Sequence, residues 1–382
     1  MKEFIYADNA ATTKISEGAF QAMVPYLTEH YGNASSVYRI GRDAHKALED
    51  ARKQIASLIN AGPMDIYFTS CGTEADNWAL KGIARKLKKE GKNHIVTTVI
   101  EHHAILHAAK SLEEDGFEVT YLPVNEKGRV SPEAVREALR PETALVSVMY
   151  ANNELGTIQP VAEIGALCRE AGVLFHTDAV QAAGTLPIDV AAQNIDMLSV
   201  SAHKFNGPKG VGFLYCKRGL HPDNFMEGGA QERGHRAGTE NIAGIIGMAE
   251  AMKEAYDILE EKTERLSAMR DRIQEGLLKI PGSRFNGDEE HRLPGTVNVS
   301  FENIDGESLL FQLDLMGVAA SSGSACSAGS VDPSHVLLAI GVPYNMAHGS
   351  LRISLGRYNV PEEADKIVEA VTKAVAFLRG EK

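Results

Sequence analysis

Between residues 66 and 200 short apolar runs alternate with helix-patterned stretches, and this alternation limits the fold more than any other feature of the 382-residue chain. The apolar runs fall at 66–69, 95–100, 119–123, 145–149, 173–176 and 195–200. Helical periodicity fills 73–90, 103–115, 131–139 and 162–171. Strands separated by helices predict an α/β fold with a mainly parallel sheet covered on both faces. Two more helices are predicted upstream, over 16–30 and 42–60.

Ligands of such sheets bind beyond the carboxyl ends of the strands, so the strand exits decide the chemistry. After 66–69 come Cys71, Gly72, Thr73 and Glu74 at a helix start, where free backbone N–H groups, a glycine and a hydroxyl suit a phosphate. Thr73 and Asp76 are equally spaced for a capping box. His102 and His103 follow 95–100, and histidine there can stack on a ring or shuttle protons, or be incidental. Asn152 and Asn153 follow 145–149, amides suited to a carboxylate but also ordinary in loops. Asp178 follows 173–176, and a buried acid needs a cationic or donor partner such as a protonated pyridine nitrogen. Lys204 follows 195–200 in Ser201-Ala202-His203-Lys204, before Asn206-Gly207-Pro208 turns the chain into a strand at 211–216. A desolvated lysine there loses basicity and can form a Schiff base with a carbonyl cofactor; a solvated one does neither. Schiff-base lysine, ring-nitrogen carboxylate and phosphate site together are what pyridoxal phosphate requires.

Other features exclude alternatives. A net charge of -12 argues against nucleic-acid binding as the main role. No apolar run reaches the ~18–20 residues of a membrane span, and the first residues carry no signal-peptide pattern. Cys71, Cys168, Cys216 and Cys326 lie far apart without a CxxC pair, which argues against zinc or disulfides and for a reducing, cytoplasmic setting. Gly228–Asn241 reads as a Gly-rich, Arg-bearing loop too flexible for core, and 242–279 as a long helical connector. A smaller α/β unit begins at Gly282, with strands near 296–301 and 351–354 and helices near 308–316 and 362–379. Within it, residues 319–330 (AASSGSACSAGS) are small and hold Cys326, the composition of a mobile loop. Two domains are expected: 15–255, and 1–14 joined with 256–382.

End to end the chain resembles the NifS/IscS-like cysteine desulfurases, class-V aminotransferases of the aspartate-aminotransferase-like fold (type I), with a seven-stranded sheet in the large domain. Ser201–Lys204, His176–Gln181, Arg236–Asn241 and Ser321–Cys326 carry the resemblance most specifically, and the last separates this group from the SufS-like one. The resemblance implies that Lys204 holds pyridoxal 5'-phosphate and moves protons, Asp178 meets the ring nitrogen, Gln181 the phenolic oxygen, and His102 stacks on the ring and serves in proton transfer. It implies Gly72, Thr73, Ser201 and His203 at the phosphate, with Thr239 reaching in from the other subunit of a homodimer. Asn153 and Arg352 would hold the carboxylate of L-cysteine, and Cys326 would take the sulfur as a persulfide for an iron–sulfur scaffold or tRNA thiolation enzyme. Selenocysteine lyase or aminotransferase activity is the alternative, although an aminotransferase has no use for a cysteine on a Gly/Ser loop. Departures from the pattern are modest: Cys71-Gly72 stands where Gly-Ala or Gly-Gly is frequent, and Asn33-Ala34 where Asn-Pro is common. The chain ends at Lys382, where the IscS branch continues into a scaffold-docking tail, so weaker docking through such a tail is expected.

Overall fold

A computed structural model describes residues 4–322 and 333–381, so Cys326 and most of its loop lie outside the described residues. The chain opens with a short strand, β1 (Ile5–Tyr6), and two helices, α1 (Glu17–Thr28) and α2 (Arg39–Leu58). Strand and helix then alternate as the sequence predicts: β2 (Ile66–Thr69), α3 (Gly72–Lys88), β3 (His94–Thr98), α4 (His103–Glu114), β4 (Glu118–Leu122), α5 (Pro132–Ala138), β5 (Thr143–Ser147), α6 (Val161–Ala171) and β6 (Leu174–Asp178). β7 (Met197–Ser201) and β8 (Gly212–Cys216) complete a seven-stranded sheet in the order β2-β8-β7-β6-β5-β3-β4. Every ladder from β7 across to β4 is parallel. β8 alone runs against both neighbours, because the turn after Lys204 reverses the chain at once, with Asn206 left-handed at φ 67°. Residues of β3, β5, β7 and β8 are buried throughout, as strands covered on both faces must be. The apolar runs overshoot β3 and β5 by two residues: Ile100 and Met149 leave the ladder but stay apolar because they pack on Val336 and Leu337.

The edge strand β2 is closed by side chains. Ile66 O accepts from Arg52 and Arg233, and Phe68 N–H donates to Glu232. An open edge invites pairing with another chain, and these groups remove the free donors and acceptors. Residues 228–241 are therefore not a loose excursion: Glu232 is buried, its carboxylate grips Arg52 in a bidentate pair, and left-handed Glu232 and Arg233 (φ 44° and 60°) are held by these contacts.

The predicted connector is two helices, α7 (Ile242–Asp257) and α8 (Leu259–Leu277), which meet at the non-helical Ile258. The first packs on α1 and α2, the second on β10 (Thr296–Phe301) and α12 (Glu363–Arg379) of the smaller unit. That unit also contains β9 (Ser283–Phe285), α9 (Gly306–Met316), β11 (Val318–Ala319), α10 (His335–Ala339), α11 (Tyr344–Ala347) and β12 (Ser350–Ser354). Its sheet is antiparallel, in the order β12-β10-β9. β1 pairs with β11, so Ile5 and Ala7 join the core of Leu309, Leu351, Ile367 and their neighbours rather than the large sheet's core. Among the described residues no helix is long and apolar enough to cross a membrane.

Candidate active site

The exits of β2, β3, β5, β6 and β7 converge on one cavity of about 380 Å³ between the large sheet and β12. Gly72, Thr73, His102, Asn153, Asp178, Gln181, Ser201, His203, Lys204 and Arg352 all line it. Thr239 does not. It lies with Glu232, Arg236 and Glu240 around a separate pocket of about 120 Å³, so within one chain it is apart from the others.

At the β2 exit the capping-box reading fails. Cys71 occupies the cap position of α3, no side chain caps the first turn, and neither Thr73 nor Asp76 closes the box. Glu74 turns back instead, accepting from Ser70 N–H and Ser70 Oγ, and is clamped by Arg236 through two bonds of 2.7 and 3.0 Å. These bonds hold the Glu74 carboxyl below its usual range despite its burial. The first N–H groups of α3 are thereby left facing the cavity as an anion-binding end. Gly72 is needed there: a Cβ would come within 2.6 Å of the Val180 side chain, a short β-branched group with little room to yield.

Lys204 follows β7 in a single 3-10 turn, and its Nζ donates to Ala10 O and Ala11 O at 2.6 and 2.9 Å. His203 meets Thr12 Oγ1 at 3.1 Å; burial, with Lys204 and Lys209 nearby, pushes its pKa down to about 4, so the ring is neutral at pH 7. Gln181 donates to Ala10 O, and His102 caps α4 by accepting from Ala104 N–H. Asp178 is buried at the end of β6 and accepts from Val180 N–H at 2.9 Å. Burial raises its pKa while His102 and Lys204 oppose the rise. Arg352 is buried in β12; its guanidinium donates to Asp8 at 2.7 Å and Asn153 O at 3.1 Å, and its Nε finds no acceptor among the described residues.

Sequence reasoning missed part of this wall. Asp8, Ala10 and Ala11 come from an N-terminal stretch that reads only as a polar turn, and nothing local marks them as partners of Arg352 and Lys204. Glu101 is buried; burial pushes its pKa up to about 8, although Thr98 Oγ and Met149 N–H donate to it. His335, at the start of α10, brings its ring within 5.1 Å of His103. Their only sequence signal is their place beside the apolar runs.

The aminotransferase class-V family model matches residues 5–367. A protein of Methanosarcina thermophila named cysteine desulfurase IscS is 53% identical over 98% of this chain and 93% of its own. A solved NifS-like protein has a TM-score of 0.92 at 38% identity, covering 98% of this chain and all of that one. A structure described as SspA in complex with cysteine has a TM-score of 0.82 at 36% identity, covering 93% of this chain and all of that one. The chain belongs to the class-V aminotransferases. These enzymes depend on pyridoxal phosphate, and the cavity fits it: an uncapped helix start for the phosphate, a buried acid at the end of β6, and a lysine at a strand exit.

Proposed function

We propose that the chain is an L-cysteine desulfurase, which turns L-cysteine into L-alanine and passes the sulfur to Cys326 as a persulfide. The observation that carries this reading is the convergence of the strand exits on one cavity. The desulfurase names of close relatives favour it over aminotransferase or selenocysteine lyase activity. Bound pyridoxal phosphate supplies the electron sink that loosens the bonds of the substrate amino acid. Lys204 would anchor the cofactor's aldehyde carbon and carry protons at Nζ, steadied by the Ala10 and Ala11 carbonyls. Asp178 would meet the ring nitrogen and Gln181 the phenolic oxygen, and His102 would lie at the ring and take part in proton transfer. Gly72, Thr73, Ser201, neutral His203 and the start of α3 would hold the phosphate. Asn153 and the free N–H groups of Arg352 hold the substrate carboxylate; Asp8 fixes the guanidinium plane for that task.

The balance is simple: the C–S bond of L-cysteine breaks, an S–S bond forms at Cys326, and the thiol proton ends on L-alanine. A homodimer in which Thr239 completes the partner's phosphate site, a cytoplasmic setting, and an acceptor that is an iron–sulfur scaffold or tRNA thiolation enzyme belong to the same proposal. So does the division into 15–255 and 1–14 with 256–382, which the separate cores support. Mass spectrometry after one turnover tests the central claim. One extra sulfur is expected on the Cys326 peptide, and Cys326→Ser should form neither persulfide nor catalytic alanine. Cys168 and Cys216 are poor competitors, because burial pushes both thiols up to about 12. Sulfur on Cys71, with Cys326→Ser still turning over, would defeat the reading.

A further inference from the structure

Three buried carboxyls meet on the inner wall of the cavity: Asp178 at the end of β6, Glu101 after β3, and Asp76 in α3. Their surroundings differ. Asp178 accepts from Val180 N–H and has His102 and Lys204 as cationic or ionisable neighbours. Glu101 accepts from Thr98 and from Met149 N–H. Asp76 is 1% exposed, and its Oδ1 has no hydrogen-bond partner among the described residues.

Among the described residues the basic group paired with Asp76 is His176, with Nε2 at 3.7 Å from Oδ1. That ring is itself fully buried and held between Ser147 Oγ (2.9 Å) and Ser199 Oγ (3.0 Å). Burial lowers its pKa to about 3, so it offers no charge at neutral pH. Every other titratable group facing Asp76 (Asp178, Glu101 and Cys71) disfavours a second negative charge, and only a hydrogen bond from Ser199 favours one. With the Ser199 proton directed at Asp76, His176 donates through Nε2 and accepts from Ser147 through Nδ1. The resulting chain of donors fixes the Asp76 carboxyl in place.

Two close buried carboxyls do not both ionise, and a shared proton settles on the one without cationic neighbours. We propose that Asp76 is a positioning residue: it stays a neutral carboxylic acid and leaves Asp178 as the single carboxylate at the ring-nitrogen end of the cofactor site. This rests on the reading of Asp178 given above. It gives Asp76 a task that neither a cap nor a catalytic group performs.

Full-length protein stripped of and reconstituted with pyridoxal phosphate tests it in two ways. Asp76→Asn keeps a neutral polar group, so its cofactor Kd should stay within about threefold of wild type, whereas Asp76→Leu should loosen it about tenfold or more. In the apoprotein, native Asp76 retains a proton that the unfolded chain releases above its ordinary carboxylate pKa. Stability should therefore fall as pH rises above the ordinary carboxylate range, and Asp76→Asn should flatten that slope. If Asp76→Asn fails to fold, Asp76→Ser carries the slope measurement. Asp76→Asn loosening the cofactor as much as Asp76→Leu, or an unchanged slope, would overturn the proposal. Asp178→Asn is the control. Should it leave cofactor affinity and the visible spectrum unaltered, the ring-nitrogen reading falls and the role of Asp76 with it; if it perturbs both, failure of the Asp76 arms counts against Asp76 alone.

Discussion

Two arginines are almost equally buried, Arg52 at 2% exposure and Arg352 at 1%, yet they are built for opposite ends. Arg52 is fully engaged: Nε donates to Glu49, Nη1 to Ile66 O and Glu232, Nη2 to Glu232, and the guanidinium lies over the Phe68 ring. Arg352 binds Asp8 and Asn153 O, and its Nε has no acceptor among the described residues. A buried donor left unmet costs stability, so a fold retains one where something else is to be bound. Around β2 the polar groups hold the protein together. Around the cavity, Arg352, Asp76 and Asp178 keep capacity in reserve.

The sharpest separation of these regions comes from Lys204→Ala. Turnover should be abolished and the borohydride-stable cofactor adduct lost, while thermal unfolding stays close to wild type. An adduct that persists would assign the anchor to another lysine. On the opposite side, Arg52→Ala should destabilise the protein by about 3–5 kcal/mol, because it strands the Glu232 carboxylate and reopens the β2 edge. Turnover per folded molecule should be kept, and denaturant titration beside active-site counting would detect a catalytic defect that breaks the contrast. Arg352→Lys keeps the charge but loses the planar fork, so kcat/KM for L-cysteine should drop roughly 10–100-fold with little change in stability. Unchanged kinetics would move the carboxylate site elsewhere. The mildest change is expected from Glu101→Gln. With its folded pKa raised to about 8, native Glu101 holds its proton above the pH at which the unfolded chain loses it. Its contribution to stability therefore declines as pH rises towards 8 and then levels off. The variant should lack that part of the decline, and parallel pH profiles for both proteins would contradict it.

The sheet was legible because strands buried on both faces have to be apolar, and the exits of those strands bring Lys204, Asp178 and His102 to one end. Asp8, Arg52 and Glu232 were not legible. Arg52 and Glu232 stand 180 residues apart, Asp8 and Arg352 stand 344 apart, and a charged residue carries no local sign that it will be buried. Asp76 was misread for a related reason: its spacing from Thr73 suits a cap, but its side chain turns inward to the His176 wall instead of back to the helix start. The loop at 228–241 misled by composition, since its glycines suggest looseness while Glu232 locks it in the core.

The Asp8–Arg352 pair also bears on how the protein comes into being. A chain emerging from the ribosome has Asp8, Ala10 and Ala11 ready early, but Arg352 follows 344 residues later. At about 5–20 residues per second that interval is on the order of tens of seconds. Through it the large sheet can form and Lys204 can reach its carbonyls, yet the Arg352 side of the cavity is still missing. The large-sheet side of the cavity can be shaped on the nascent polypeptide; its Arg352 wall has to wait for β12.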